Sequence, residues 1–273
     1  MNNAIEARDL GPVPEFRWLD IDHLTINAKY QREVSRDGEA MISRIARDFD
    51  WRQFTPVTVA PAAREGRYAV IDGQHRIMAA LRIDQIDEVP CWIVAADDIS
   101  AQATTFVGLN KNRMKMMPVN TYHAELAAGD VHAVRINRIC QKAGVEVVRK
   151  HMSTNSLKAH QTLSVGALKS AARALSERDL EDGLRMIIEN LEGNNILRAA
   201  MISAVPAVLA LGRQTDGFDE ERLAKVVNKR FVDIWMDNAS SYAKNFGGTN
   251  QKALRMAIIK AYNGAGRGAK LPE

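Results

Sequence analysis

The sequence predicts an α+β fold in its first half and an all-α fold in its second half. Short β-branched runs alternate with helically spaced apolar residues up to Pro118, and strand signals almost stop after it. The charge also changes there: residues 1–118 carry 15 Lys+Arg and 17 Asp+Glu, whereas residues 119–273 carry 22 and 16. A chain of 273 residues is long enough for two domains, and we expect two of different class.

Hydrophobic periodicity predicts the elements of the first half. Residues 16–27 alternate apolar and polar side chains, which indicates a strand followed by a turn. Residues 38–49 and 75–82 place apolar side chains at helical spacing, and Ser100 is expected to cap a helix that runs toward Lys111. Further strands are predicted at 56–60, 68–72 and 89–95.

Capping residues predict the first helices of the second half. Asn120 or Thr121 can cap one helix, and Asp130 can cap a second that ends at Gly144, a residue suited to a left-handed C-terminal position. Later apolar residues recur helically, with Trp235 and Ile234 expected in the core together with Phe231.

The expected organisation has four parts. An N-terminal extension precedes the first domain, and the glycine-rich stretch 264–270 indicates a frayed C-terminal tail. The predicted boundaries are 1–15 for the extension, 16–118 for the α+β domain, 119–263 for the helical domain and 264–273 for the flexible tail.

Composition excludes several classes of protein. Cys91 and Cys140 stand in no metal-ligand or redox spacing, so we expect two buried apolar thiols and no metal site. The N-terminus has no apolar signal region, and the longest apolar stretch, 196–211, is interrupted by polar residues and proline. These features predict a soluble cytoplasmic protein without a membrane partner.

The stretch VIDGQHRIMAAL, residues 70–81, has the pattern of an anion site. A strand ends in Asp-Gly and a helix begins at once, so that Gly73 lets a phosphate approach the backbone and the first helical turn offers free N–H groups. Arg76 adds a bidentate donor. The same residues also fit a tight strand-to-helix turn in which His75 and Arg76 satisfy a local carboxylate such as Asp72, and both interpretations stay open.

Several ordered motifs resemble the ParB/sulfiredoxin superfamily. They are FTPVTVA, YAVIDGQHRIMAALRI and EVPCWIV, with YQRE at 30–33 upstream and LNKNR at 109–113 downstream. The resemblance covers residues 16–118 and implies a ParB/sulfiredoxin-like fold for this half, followed by the all-α part.

The resemblance implies a nucleotide site. Gly73, Gln74, His75 and Arg76 occupy the places of the ParB G-E-R-R motif, which contacts a triphosphate, and CTP or ATP with Mg²⁺ is the implied cofactor. Other places of the motifs bordering the nucleotide are occupied by Thr55, Pro56, Asn110 and Arg113.

Departures from the superfamily limit the chemistry it implies. Leu109 stands where CTP-binding ParB proteins have Glu, which weakens the support for a metal-bound triphosphate and for nucleotide hydrolysis, and Gln74 stands where sulfiredoxin has its catalytic Cys. An amide cannot act as a thiolate nucleophile, so sulfiredoxin activity is not expected. The free-serine kinase branch uses D-G-x-H-R with a carboxylate base, a role open to Glu33, Glu39 or Asp72.

The second half carries a basic segment between residues 135 and 173. Eight cations face one acid, Glu146, which is typical of a polyanion-binding surface or, alternatively, of a solvated helical face. The cations are Arg135, Arg138, Lys142, Arg149, Lys150, Lys158, Lys169 and Arg173. Residues 135–150 loosely match the first helix and turn of a helix-turn-helix, with 163–175 as an alternative recognition helix.

The leading hypothesis is therefore a ParB-like protein of phage or mobile-element type that binds nucleotide phosphate and associates with DNA. The first alternative is an enzyme, either a ParB-like nuclease or a nucleotide-dependent phosphotransferase (kinase). The second is a regulatory interaction protein without nucleotide. DNA and nucleotide are the expected partners, and a homodimer is considered as well.

Overall fold

A computed structural model describes residues 11–28, 30–31, 33–111, 116–149, 153–230 and 232–272. The chain forms two compact units, an N-terminal unit over Met1–Met114 and a C-terminal unit over Lys115–Glu273. The α+β class predicted from the sequence is confirmed.

The N-terminal unit is built on a five-stranded mixed sheet in the order β1-β5-β3-β4-β2. The pairs β1/β5 and β3/β4 are antiparallel, whereas β2/β4 and β3/β5 are parallel. Its elements are β1 (Glu15–Asp20), β2 (Leu24–Ile26), α1 (Arg36–Arg47), β3 (Val57–Pro61), β4 (Tyr68–Asp72), α2 (Gln74–Ala80), β5 (Glu88–Ile93) and α3 (Ile99–Lys111).

The single strand predicted over residues 16–27 is wrong, because the structure has two strands at opposite edges of the sheet. A 3-10 helix over Ile21–His23 separates them, and the Asp20 side chain caps it by accepting a hydrogen bond from the Asp22 N–H at 2.8 Å. The chain that connects the end of β1 at Asp20 to the start of β2 at Leu24 can span at most about 14 Å. Edges of a flat five-stranded sheet lie about 19 Å apart, so this sheet must curl.

The sheet is buried on both faces. Val59 of β3 belongs to one hydrophobic cluster with Val57 and Ile77 of α2, whereas the next residue, Ala60, belongs to another that contacts Phe106 of α3. Successive side chains of a strand point to opposite faces, so α2 and α3 cover opposite sides of the sheet. This arrangement explains the continuous apolar run in β4.

The cysteines behave as predicted apolar residues. Cys91 on β5 and Cys140 in the C-terminal unit are buried, and burial raises the pKa of each thiol to about 12. Both thiols therefore stay protonated at neutral pH.

In its described residues, the C-terminal unit is helical apart from one pair of two-residue parallel strands. The elements are α4 (Pro118–Ala127), α5 (Val131–Ala143), β6 (Glu146–Val147), β7 (Gln161–Thr162), α6 (Val165–Ala174), α7 (Glu177–Asn190), α8 (Ala199–Arg213), α9 (Glu220–Asn228), α10 (Val232–Phe246) and α11 (Asn250–Gly264). Helix α8 packs against α6, α7 and α11 and is buried along most of its length.

The predicted caps are partly correct. Asp130 caps α5 by accepting a hydrogen bond from the Ala133 N–H at 2.8 Å, and Gly144 follows with a φ of 73°. The cap predicted at Ser100 is wrong, because Asp98 accepts from the Ala101 N–H at 2.7 Å and α3 begins one residue earlier. The cap predicted at Asn120 or Thr121 is also wrong.

Helix α4 begins at Pro118, whose ring fixes φ in the helical range and whose missing N–H leaves no donor unsatisfied at a helix start. Ile234, expected in the core, is half-exposed, while its neighbour Trp235 is fully buried. Phe231 lies outside the described residues.

The flexible tail predicted over 264–273 is wrong for its described residues. Leu271 is buried, and its backbone N–H and C=O both bond to the Asn263 side chain, at 2.8 and 2.9 Å. Arg222 of α9 donates to the Ala269 carbonyl at 2.9 Å and stacks on the Tyr262 ring. The segment therefore folds back onto α9 and α11.

No helix in the described ranges is long and apolar enough to span a membrane. Within the same ranges, no cluster of three or more His, Cys, Asp and Glu side chains could bind a metal ion.

The α7–α8 contact predicts an asymmetry between two glycines. A Cβ on Gly183 would lie 2.5 Å from the Pro206 Cα, whereas a Cβ on Gly166 of α6 would meet nothing within 4 Å. We expect Gly183→Ala to lower the free energy of unfolding by about 1–3 kcal/mol. Gly166→Ala, the control, should raise it by about 0.5–1 kcal/mol. Urea unfolding checks both, and equal effects would contradict the close helix contact.

Candidate functional site

The strand-to-helix turn at Gly73 forms as the sequence predicts. Strand β4 ends at Asp72, Gly73 has a φ of 105°, and α2 begins at Gln74. The Gly73 carbonyl accepts from the N–H groups of Arg76 and Ile77, at 2.9 and 3.0 Å. A positive φ favours glycine, and this conformation reverses the chain within a single residue.

Packing also requires glycine at this position. A Cβ on Gly73 would lie 2.5 Å from Val57 Cγ1, inside the hydrophobic cluster beneath the turn. The glycine is therefore explained without a phosphate, although the conformation it permits also exposes the backbone of the turn.

Arg76 binds the loop that precedes β3. Its Nη1 group donates to the carbonyl and the hydroxyl of Thr55 and to the Pro56 carbonyl, the last at 3.0 Å. Its Nη2 group donates to Asp72 Oδ2 at 3.0 Å. The side chain is only 16% exposed, so the guanidinium holds Thr55, Pro56 and Asp72 together. Arg76 therefore pairs with the local carboxylate Asp72, and phosphate binding by its guanidinium stays a prediction.

His75 faces the first turn of α1. A Cβ on Gly38 would lie 3.2 Å from His75 Nε2, so the two helices approach closely at this point. The absence of a side chain at Gly38 leaves room for the imidazole ring.

A cavity of about 370 Å³ lies beside Arg76. It is lined by two arginines, two aspartates, two phenylalanines and two further residues: Arg44, Arg76, Asp48, Asp50, Phe49, Phe54, Ile45 and Gln53. Its volume falls in the range of small-molecule sites, about 300–1,000 Å³. The half-exposed Trp51 extends this aromatic group, because its ring packs edge-on against Phe49 and Phe54, with centroid distances of 4.9 and 5.5 Å.

The acidic residues of the cavity are neutralised by arginines outside its lining. Arg47 donates hydrogen bonds to both carboxylate oxygens of Asp48, and Arg52 does the same for Asp50. These bonds lower the pKa of each carboxyl group below its usual value. Arg44, in contrast, contacts the Met41 sulfur and makes no ion pair in the part of the chain that the structure describes.

Asn110 does not line the cavity beside Arg76. It lies exposed near the end of α3, and its amide donates to the Phe106 carbonyl of the same helix at 2.8 Å. Leu109 beside it is also exposed. Arg113, the last residue of the downstream motif, lies outside the described residues.

Two of the three carboxylates considered as bases pair with arginines. Glu39 pairs with Arg82 at 2.7 Å and Asp72 with Arg76 at 3.0 Å, while Glu33 is exposed. None of the three lines the cavity beside Arg76. Sequence reasoning missed Arg44 and Phe49, because neither residue belongs to a motif. It also missed Phe54, which opens the FTPVTVA motif but was not assigned to the site.

Acids outside the basic segment neutralise part of it. Arg135 and Arg138 both bind Glu177, at 3.0 and 2.8 Å, and Lys169 binds Glu125 at 2.5 Å. The cations of the segment that are exposed and make no ion pair with a described residue are Lys142, Arg149, Lys158 and Arg173. Lys150 lies outside the described residues.

The helix-turn-helix sought over residues 135–150 is not formed, because the two-residue strand β6, not a helix, follows Gly144. The alternative recognition helix forms as α6, but half of its residues are buried, which leaves a narrow exposed face with Arg173. A shorter connection, residues 128–130 with Gly129 at a φ of 75°, joins α4 to α5.

Comparisons with known proteins give one family and several low-scoring structural neighbours. A family model described as "Family of unknown function (DUF6551)" matches residues 26–273. No curated protein sequence matches the chain.

Among solved structures, a C-terminally truncated chromosome-partitioning protein ParB from Caulobacter crescentus, complexed with CTP-gamma-S, is 15% identical with a TM-score of 0.41. The match covers 69% of this chain and 98% of that one. The same protein complexed to the centromeric parS site is 13% identical with a TM-score of 0.28, over 89% and 99% of the two chains. A pNOB8-like ParB N-domain is 14% identical with a TM-score of 0.30, over 88% and 80%.

These neighbours are ParB proteins, the group that the motifs of residues 16–118 resemble. Because the identities and TM-scores are low, the function is argued below from the residues of the chain itself.

The Arg76 contacts predict a structural effect of its removal. We expect Arg76→Ala to lower the free energy of unfolding by about 1.5–3 kcal/mol, since charged hydrogen bonds to the 55–56 loop are lost. Arg82→Ala is the matched control, because Arg82 forms a more exposed pair with Glu39 and should cost less than about 1 kcal/mol. Urea unfolding of both variants makes the comparison. A smaller cost for Arg76→Ala than for Arg82→Ala would show that the loop is held by other contacts.

Proposed function

The chain belongs to the DUF6551 family of unknown function, and we propose that it is a nucleotide-phosphate-binding protein that associates with DNA. The observation that carries the proposal is the cavity that Arg44 and Arg76 line next to the Gly73 turn. Guanidinium groups are suited to bind phosphate oxygens, because their N–H donors match them in pairs.

Of the two arginines that line the cavity, Arg44 is paired less strongly with carboxylates of the protein. It makes no ion pair in the described ranges, although it interacts with the charge of Asp48 over a longer distance, whereas Asp72 pairs directly with Arg76. An anion entering the cavity would therefore meet Arg44 at little cost in broken ion pairs. The aspartates do not oppose this, since Arg47 and Arg52 bind them.

The apolar part of the cavity suits a planar ring. Phe49 and Phe54 line it, and their ring centroids lie 5.5 Å apart. Aromatic faces stack on nucleobases irrespective of sequence, so a base against these rings and phosphates toward the arginines is a consistent arrangement. CTP and ATP, with Mg²⁺ on the phosphates, are the ligands we propose to test first.

DNA association rests on the C-terminal unit. Lys142, Arg149, Lys158 and Arg173 are exposed without an ion pair among the described residues, so they can meet phosphates without breaking existing contacts. Arg135, Arg138 and Lys169 remain in the proposed surface, but their charges are shared with Glu177 and Glu125.

A regulatory interaction protein without nucleotide is the second candidate. The observation that favours it is the bonding of Arg76, whose guanidinium already holds Thr55, Pro56 and Asp72 in the ligand-free fold. In this case the turn would be a structural element only.

Nucleotide binding is tested by calorimetric titration with CTP and with ATP in the presence of Mg²⁺. We expect Arg44→Ala to weaken binding by about 1.5–3 kcal/mol, because it removes a charged hydrogen bond to phosphate. Arg64→Ala, in the turn between β3 and β4 at the far end of these strands, is the control and should leave affinity unchanged. Equal affinities of wild type and Arg44→Ala would place the nucleotide elsewhere, and no heat with either nucleotide would favour the second candidate.

DNA binding is tested by its dependence on salt. Each phosphate contact displaces counterions, so log K should fall with log salt at a slope near −0.9 per contact. Replacing Lys142, Arg149 and Lys158 by Ala should flatten this slope by roughly two to three. A control with equal loss of charge replaces the exposed cations Lys225, Lys252 and Arg255 of α9 and α11. If both triple variants changed the slope equally, net charge and not this surface would determine binding.

A further inference from the structure

A buried amide lies against the last residues of β4. Gln31 is 9% exposed and Gln102 is 4% exposed, and with Thr162 they are the buried polar side chains of the described residues. Gln31 Nε2 donates to the Val70 carbonyl at 3.1 Å and to the Ile71 carbonyl at 2.8 Å. A side-chain amide has two N–H donors, and both reach consecutive carbonyls of one strand.

Strand β4 is irregular at the same residues. Thr58 pairs with Asp72 and Val59 pairs with Val70, so Ile71 is an extra residue with no partner on β3. Such a bulge bends its strand and turns the adjacent peptide groups. The Ile71 side chain is fully buried, and a buried carbonyl left without a donor is unfavourable.

The other neighbour of β4 ends too early to supply that donor. Strand β2 stops at Ile26, which pairs with Val70, and the chain then turns, with the Gln31 N–H donating to the Asn27 carbonyl at 3.0 Å. The Gln31 amide thus takes the place of the next residue of β2. It donates a hydrogen bond to the carbonyl of the bulge residue Ile71, two residues before Gly73.

Two further side chains hold this arrangement. The Tyr30 hydroxyl lies 3.2 Å from both the Val70 carbonyl and Gln102 Oε1. The Gln102 amide nitrogen donates to the Ala96 carbonyl at 3.2 Å, which ties α3 to the network. The first two residues of the upstream YQRE motif, Tyr30 and Gln31, therefore bind backbone carbonyls of β4.

We propose that Gln31 is a positioning residue for the phosphate-binding turn, acting through the bulge at Ile71 and without contact to the ligand. The proposal rests on the proposed function in its binding part. Its structural part does not depend on a ligand. The Gln31 amide bonds to the bulge and so fixes the direction in which β4 ends, and this direction sets the positions of Asp72, Gly73 and Arg76.

The test uses the full chain with Gln31→Met, which keeps the length of the side chain and removes both donors. Tyr30→Phe removes one hydroxyl and is a milder second variant. Leu19→Ala, on β1 with two strands between it and β4, is the control for general loss of stability. Denaturant conditions are chosen so that Gln31→Met and Leu19→Ala have equal global stability.

The first readout is hydrogen exchange of the Arg76 and Ile77 amides, which bond to the Gly73 carbonyl. We expect exchange about tenfold faster in Gln31→Met than in Leu19→Ala, and a smaller increase in Tyr30→Phe. Equal exchange at equal stability would overturn the proposal, because the amide would then contribute only to general stability.

The second readout is calorimetric binding of inorganic tripolyphosphate, which probes the phosphate site without a base. The dissociation constant should rise about tenfold in Gln31→Met and stay within about twofold in Leu19→Ala. A rise of the same size in both variants would overturn positioning by Gln31. If wild type bound no tripolyphosphate, CTP or ATP, the proposed function would fail, and hydrogen exchange would decide the positioning alone.

Discussion

Gly73 adopts a φ of 105° at a place where a Cβ would lie 2.5 Å from Val57, and the N-terminal unit is arranged around this constraint. At this residue the interior strand β4 passes directly into α2, with no loop between them. Its conformation sets the direction of α2 and hence the position of Arg76. Arg76 in turn holds Thr55 and Pro56, the residues that lead into β3. The strand, the helix and the loop therefore depend on one backbone angle.

The existing hydrogen bonds of Arg76 limit how it can bind a ligand. Arg76 cannot keep all its contacts with Thr55, Pro56 and Asp72 and also bind a phosphate fully, so a ligand must share or replace some of them. Arg44 makes no ion pair with a described carboxylate, although it interacts with the charge of Asp48 over a longer distance. The proposed function therefore implies a division of roles, in which Arg44 would attract an anion and Arg76 would couple ligand binding to the loop before β3.

The sequence predicted the elements whose signals are local. Residues 68–72 and the following helix were recognisable because a β-branched run, an Asp-Gly pair and helical spacing stand in direct succession. Residues 16–27 were read as one strand because their alternation continues through Asp20, and only tertiary pairing sends β1 and β2 to opposite edges. The packed tail depends on Arg222 and Asn263, which local glycine content does not reveal.

The basic segment shows the same limit in electrostatics. A count over residues 135–173 includes Glu146 but omits Glu125 and Glu177, which the fold brings to Lys169 and to Arg135 and Arg138. Charge patterns in sequence therefore overestimate the free charge of a folded surface. The cavity beside Arg76 could not be predicted for a related reason, since its lining comes from α1, a short loop and α2, which the fold brings together.

The most direct test of the central claim is a titration of the isotope-labelled full chain with CTP and Mg²⁺, followed by amide and arginine side-chain NMR signals. The account predicts that the largest shift changes occur at Gly73 to Arg76 and at the Arg44 side chain, with smaller changes at Thr55. Saturable changes confined to other residues, or none at all at Gly73 to Arg76, would contradict it.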